Sequence, residues 1–384
     1  MTLPRMYILG TSPLFLLVSH EVAKLSQQPK SIPNLILLLS DPLKLKRFLS
    51  NDSRISIIGN NEPVFQYMTT CTPPTLVTEE RVMIENLVVI ERNRHKLLSD
   101  LNQYKGSLNS NSSLLLINPP MGTYEMLRES IWSETERDIM PKIFVGLTDN
   151  NTPIVKSSRV PNDQNLILNR PVDLLKYNRE FSVNLNPLYW NTKIPLLVAP
   201  IPLRFESTSF SQSKSNDLIS VMDKLGKFDT TLIQFTDFHF LRLERSIIDS
   251  CIESLAALYD CKYIHELLLV DGVDLLLKKL VKEQINIILK SYPNLIESPN
   301  CNIILSKDRL FELIMMKLRD AKVKSKAFKE MNCLDIGAIN DLNSYFVGLG
   351  YKNNIHCKLN TMLKWLLKGK TTIKKENAIA NTYM

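Results

Sequence analysis

Arg5-Met6-Tyr7-Ile8-Leu9-Gly10-Thr11-Ser12-Pro13-Leu14-Phe15 lies at the start of the chain. Tyr7–Leu9 is a short apolar run closing on Gly10, the outline of a first strand. Pro13 suits the first turn of a helix, where its missing N–H costs nothing. Leu14, Leu17, Val18, Val22 and Leu25 then recur at helical spacing. A strand, a tight turn and a helix in that order is where a dinucleotide-binding fold places its G-x-G-x-x-G. Here only Gly10 is present, and Ser12 and Phe15 hold the second and third glycine positions. Ser12 adds a Cβ where phosphate must approach. Phe15 puts a ring where the helix should press on the sheet. Pro13 removes an N–H that would face the anion. The turn is either a nucleotide site that has stopped working or a plain strand-to-helix turn.

The pattern continues outward as strand and helix in alternation. Pro29 and Pro33 end the first helix, and Leu35–Leu39 is a continuous apolar run of the kind buried on both faces of a parallel sheet. Ser40-Asp41-Pro42 opens a second helix over Leu43–Leu49, with Asp41 as an N-cap or, alternatively, an acceptor for a ribose hydroxyl. Ser53–Ile58 and Val64–Met68 are short β-like segments. Asn86–Ile90, Leu114–Ile117 and Lys142–Leu147 read as buried strands. Helical segments at Arg92–Tyr104 and Gly122–Trp132 follow the first two of these strands. This order predicts a Rossmann-like, mostly parallel sheet with helices on both faces.

From Asp149 to Ser215 the pattern weakens. Pro195, Pro200 and Pro202 argue against regular central strands, so Ile194–Val198 reads as an irregular edge strand. Ser207–Ser215 reads as a mobile loop. After Asn216 the chain turns helical: Leu218–Leu225, Thr236 to about Asp260, Asp271–Leu289, Lys307–Leu318, Asp335–Gly348, His356–Leu367 and Thr371–Ala380. The fold class is therefore α/β followed by an all-α part, with domains at 1–235 and 236–384.

Net charge is +8 and unevenly placed. Met315–Met384 holds thirteen Lys/Arg against five Asp/Glu, and the remainder holds 34 of each sign. A local positive field of this kind attracts polyanions such as RNA, ribosomes or acidic lipid. The candidate contacts are Lys317, Arg319, Lys322, Lys324, Lys326 and Lys329, then Lys364, Lys368, Lys370, Lys374 and Lys375, with Phe328 and Trp365 nearby. Phosphate contact needs only cations, whereas reading bases needs planar groups, so this pattern fits backbone contact. A solvated, lysine-rich helical surface is the plainer alternative. The six cysteines and five histidines are scattered, with no metal-ligand spacing. No apolar run reaches the length of a membrane span.

Arg245, Asp249 and Glu253 fall at i, i+4 and i+8 of the long helix, hence on one face. They are either a base-and-clamp set in a cleft or a solvated charged stripe. Glu91, Arg92 and Asn118 stand at strand ends, where open α/β sheets bind ligands.

The two-part plan resembles the ketopantoate reductase superfamily, through Tyr7–Gly10, Asn86–Val89, Leu114–Asn118 and the helix carrying Cys251 with Asp260-Cys261. That resemblance implies NADPH-dependent reduction of a 2-keto acid. The functional positions depart from it. The family's NADPH-binding Arg aligns with Ser40, its Lys after the strand matching Asn86–Ile90 with Arg92, and the glycine of its Asn-Gly with Pro119. Its K-x-x-x-N-x-x-x-N reads Arg245, Asp249 and Glu253, and its late substrate-holding Glu aligns roughly with Ala338. A closer resemblance, over nearly the whole chain, is to yeast mitochondrial translational activators of cytochrome b mRNA. It rests on Ile36–Asp41, Arg47–Ser53, Glu85–Leu87, Tyr259–Cys261, Lys282–Gln284, Ser291–Pro293, Leu342–Leu349 and Leu367–Lys370. It implies a matrix protein peripheral to the inner membrane, acting through the message's 5′ leader with the mitoribosome and other activators. It implies no catalytic residue, cofactor or metal. A reductase with a remodelled site is the alternative.

Overall fold

The computed structural model describes residues 4–25, 34–58, 64–133, 139–148, 154–155, 180–185, 192–202, 216–320, 323–328 and 337–383. The chain forms two compact units, Met1–Phe235 and Thr236–Met384.

The first unit is built on an eight-stranded sheet in the order β12-β11-β8-β7-β6-β1-β2-β5. At its centre stand β1 (Met6–Gly10), β2 (Leu35–Leu38), β6 (Asn86–Ile90) and β7 (Ser113–Ile117), all parallel and all buried along their length. Every residue of these strands has a face to cover, which is why they read as continuous Leu/Ile/Val runs. Helices α1 (Pro13–Leu25), α2 (Pro42–Ser50), α3 (Arg94–Tyr104) and α4 (Thr123–Ser130) follow β1, β2, β6 and β7 in turn. β5 (Met68–Thr70) extends one edge parallel to β2.

On the other side β8 (Lys142–Thr148) pairs antiparallel with β11 (Ile194–Pro200), and β11 pairs parallel with the edge strand β12 (Phe228–Leu232). β11 is therefore a regular internal strand, not an irregular edge one. Its prolines are tolerated because of where they fall. The ladder to β8 starts at Leu196, beyond Pro195, and Pro200 is the last residue of the strand. Neither missing N–H is needed in the middle of a ladder. β12 is missed by a reading that turns wholly helical after Asn216. Phe-Asp-Thr-Thr-Leu alternates buried and exposed like a half-covered strand, but it is short and polar. Helix α5 (Asp217–Asp223), capped by Asn216, precedes it.

A second small sheet has the order β4-β3-β10-β9. Its strands are β3 (Arg54–Ile58), β4 (Phe65–Gln66), β9 (Ile154–Val155) and β10 (Ser182–Leu185). Phe48 of α2 meets Phe181 edge-on at 4.8 Å between centroids, and α1 packs against β10. α1 also carries a buried carboxylate. Glu21 is 2% exposed and accepts from the Lys227 N–H at 2.9 Å and from Lys24 Nζ at 3.1 Å. This fixes α1 to the start of β12. Ser207–Ser215, read above as a mobile loop, lies outside the described residues.

The second unit is helical: α6 (Phe235–Leu258), α7 (Val273–Ser291), α8 (Cys301–Ile304), α9 (Lys307–Leu318), α10 (Gly337–Lys352) and α11 (Lys358–Tyr383). α11 is one helix, not the two predicted on either side of Gly369. A glycine weakens a helix by about 1 kcal/mol but does not end it. Its neighbours hold the turn, with the Thr371 and Thr372 hydroxyls both donating to the Lys368 carbonyl.

The core of this unit contains a polar network. Gln284, fully buried on α7, donates from Nε2 to the Ser250 hydroxyl at 2.9 Å and to Asn360 Oδ1 at 2.8 Å. Asn343 on α10 donates to the same Asn360 oxygen at 2.8 Å and takes the Ser254 hydroxyl on its own amide oxygen. Glu283 accepts the Leu359 and Asn360 N–H groups, both at 2.9 Å, and so caps the first turn of α11. Four helices are thereby tied at fixed positions along their axes. Gln284→Leu is expected to cost about 2–4 kcal/mol by leaving buried partners unsatisfied. Denaturant unfolding of the variant checks this, and a cost below about 1 kcal/mol would mean the network fixes position without adding stability.

Candidate functional site

The first candidate is the turn after β1. Gly10 has φ +154°, and a Cβ there would lie 2.7 Å from the Ile90 carbonyl and 3.2 Å from the Phe15 ring. The glycine is required because β6 and the first turn of α1 both press on it. Phe15 is 1% exposed and belongs to the main core. Ser12 Oγ accepts from the Phe15 N–H at 3.2 Å. That N–H is one of the few at this helix end that could have turned toward an anion. Pro13 supplies none.

The other polar groups at this end of the sheet bond to one another. Glu91 pairs with Lys96 at 3.0 Å and accepts the Arg92 and Asn93 N–H groups at 2.9 and 3.0 Å. The Lys96 ammonium also reaches the Thr11 hydroxyl at 3.4 Å. Asp41 caps α2 through the Leu43 N–H at 2.9 Å, the N-cap role. Ser40 bonds the buried Asp100 carboxyl, whose burial raises its pKa above the usual range. Asn118, at φ +50°, accepts the Thr148 N–H at 2.9 Å and donates to the Thr148 hydroxyl at 2.5 Å. It joins the ends of β7 and β8. Arg92 is exposed. A dinucleotide needs a glycine-lined approach, free helix N–H groups and an unspent ribose partner. This set does not fit that need.

The second candidate is the α6 triplet, of which Asp249 and Glu253 are not solvated as a charged stripe would be. Asp249 pairs with Lys317 of α9 at 2.7 Å. Glu253, 5% exposed, accepts the Ser325 hydroxyl and the Ala327 N–H, both at 3.0 Å. The two carboxylates pin the 323–328 segment and α9 to α6, so this is an internal brace and not a solvated stripe. Ala338 lies in the first turn of α10.

Burial alone would push Asp249 up. The ammonium groups of Lys317 and Lys326 outweigh it, and the carboxyl is held below its usual range. Its contribution to stability is therefore full above about pH 4 and is lost as pH falls through the lowered folded-state value. Lys317→Met should lower the melting temperature at neutral pH and flatten the acid limb below about pH 4. Melting curves across that range check this, and acid limbs that superimpose would exclude a contribution from the pair.

The third candidate is the basic set, and its members divide. Lys317 is committed to Asp249. Lys370 donates to the Ala257 and Leu258 carbonyls at 2.8 and 2.6 Å and pairs with Asp260 at 2.7 Å, closing the C-terminal end of α6. Lys374 pairs with the same carboxylate at 2.7 Å. Arg319, Lys324, Lys368 and Lys375 are exposed, Lys364 is half-buried, and Lys326, though exposed as a residue, has its ammonium in the field of Asp249 and Glu253. Lys322 and Lys329 lie outside the described residues. The structure thus separates cations that brace the helical unit from cations that face solvent. Sequence reasoning missed that division, and it missed the Gln284–Asn360 network. The signal for the network was a Glu-Gln pair set among the apolar positions of α7.

Among the described residues, no group of His, Cys, Asp and Glu could hold a metal, and no helix is long and apolar enough to cross a membrane.

A mostly parallel sheet followed by a helical unit defines the class as ketopantoate reductase-like. Residues 237–371 match the family model described as "Ketopantoate reductase PanE/ApbA C terminal". Solved structures agree on the fold. The putative 2-dehydropantoate 2-reductase of Enterococcus faecalis superposes with a TM-score of 0.65 at 12% identity, over 97% of this chain and 99% of that one. D-mandelate dehydrogenase, solved with NADH and anilino(oxo)acetate, gives 0.64 at 10% identity over the same shares. Within that class the chain belongs to the family of the Saccharomyces cerevisiae cytochrome B translational activator CBS2. It is 33% identical to that protein over 413 aligned residues, covering 100% of this chain and 99% of the relative.

Proposed function

We propose that this protein is a non-catalytic activator of cytochrome b mRNA translation in mitochondria. The full-length similarity to CBS2 carries the reading. It would act through the message's 5′ leader together with the mitoribosome and other activators, in the matrix and peripheral to the inner membrane. The geometry of the β1 turn supports it, because the groups a cofactor would need are bonded to protein partners. Arg319 and Lys324 are exposed cations suited to phosphate contact. Deletion should abolish newly made cytochrome b in labelled organelles and spare the other products. Equal loss of all products, or of none, would reject the reading.

The reductase fold motivates a second reading, an NADPH-dependent 2-keto acid reductase with a remodelled site. Micromolar NADPH binding with turnover of a keto acid would establish it. Ser12→Gly with Phe15→Gly is expected not to restore NADPH binding, since Ser40, Asp41, Glu91 and Lys96 stay engaged with each other and with the backbone. Titration followed by nucleotide fluorescence checks that outcome.

A further inference from the structure

Helix α11 is amphipathic in an unusual sense. Leu363, Leu367 and Thr371, at i, i+4 and i+8, are buried against the rest of the unit. The opposite face should carry charge. It carries Met362, Trp365, Leu366 and Ile373 instead, at i, i+3, i+4 and i+11, with Gly369 between them and the exposed Glu376 closing the stripe one turn beyond Ile373. These four side chains are 48%, 61%, 46% and 62% exposed. They span about 16 Å at the helical rise.

Lysines border this apolar stripe on both sides. Lys364, Lys368 and Lys375, at i, i+4 and i+11, form one edge, and Lys370 and Lys374 lie toward the other. The Lys368 ammonium sits over the Trp365 ring, 5.3 Å from its centroid. Glu376 is the only acidic residue in Lys358–Tyr383, against six lysines.

We infer that this face of α11 docks on an anionic phospholipid surface, lying in the interface with Trp365 and Ile373 inserted and Lys364, Lys368 and Lys375, the edge not engaged with Asp260, on headgroup phosphates. The inference rests on the membrane-peripheral part of the proposed function and assigns it to particular residues. The charge complementarity and the apolar stripe choose lipid over RNA. RNA would use the lysines and could stack on Trp365, but it gains nothing from an exposed Met, Leu and Ile row. An interfacial helix uses all of them. Its apolar area enters the acyl boundary, and each lysine adds about 1 kcal/mol near an anionic surface. The indole belongs at that boundary, because it is apolar with one polar edge.

The test is flotation of the purified full-length protein with vesicles of phosphatidylcholine, with or without an equal part of phosphatidylglycerol. The wild type should float with the anionic vesicles and stay behind with phosphatidylcholine alone. Trp365→Asp with Ile373→Asp should lower partitioning by about tenfold or more. Both positions are solvent-facing, so an unchanged circular dichroism spectrum would show the variant folded. A measurement on the unaltered protein guards the result: vesicle addition should blue-shift tryptophan emission, and Trp365→Phe should remove that shift. Three outcomes would overturn the inference: no flotation of the wild type, flotation of the double variant at wild-type level, or an emission response to single-stranded RNA but not to vesicles. Flotation involves no translation and organelle labelling tests no lipid, so failure of this inference is distinguishable from failure of the functional reading.

Discussion

The ring of Phe15 lies against Gly10, and Gly10 lies against the carbonyl of Ile90. The first unit depends on that close approach. It sets how α1 leaves β1, and β1 is the internal strand between β2 and β6. In a fold that binds dinucleotides, the space over this turn is kept open by glycine. Filling it with a buried ring gives up the approach of a phosphate in return for dispersion contact and apolar burial, worth roughly 1.5–3 kcal/mol for such a side chain. The fold is then held by protein in the place where a ligand would otherwise stand.

The same substitution of internal partner for ligand recurs away from the turn. Asp41 serves its own helix, Ser40 bonds Asp100, and Asn118 bonds Thr148. Glu91 and Lys96 bond each other. In the helical unit Asp249 and Glu253 stand on a face where the reductase pattern puts polar side chains, and both brace neighbouring segments. Buried polar groups must be paired by something. Where a group is already paired within the chain, as Asp41, Asn118, Glu91 and Lys96 are, a ligand would have to break a formed bond to use it.

How much of this was legible follows from which physics leaves a sequence trace. Buried parallel strands do, through continuous apolar runs, so the order β1-α1-β2-α2 and the strands at Asn86, Ser113 and Lys142 could be read directly. β11 could not, because proline in a sequence does not say whether its missing N–H falls inside or beyond a ladder. β12 was too short and polar to stand out. The α6 triplet was visible as a charged stripe, but spacing on one helix cannot reveal Lys317 or Ser325 opposite it. Four of the short stretches that carry the resemblance contain residues that meet one another in the structure. Asp260 of Tyr259–Cys261 meets Lys370 of Leu367–Lys370, and Gln284 of Lys282–Gln284 shares its network with Asn343 of Leu342–Leu349. These residues stand out from generic fold positions because each specifies a partner as well as a polarity.

These pairings also decide where the chain can meet other molecules. On the helical unit, cations that brace the fold stand apart from cations that face solvent. The two uses of lysine on α11 make the point. Lys370 and Lys374 face Asp260 and the end of α6, and their charge is answered inside the protein. Lys364, Lys368 and Lys375 lie along the other edge of an exposed apolar row. Positive charge answered within the fold contributes little to a long-range field, whereas exposed charge beside uncovered Trp, Leu and Ile keeps its full attraction for anions and adds apolar area to the contact. The net charge of +8 is thus a poor guide to the interface until the answered cations are set apart from the free ones.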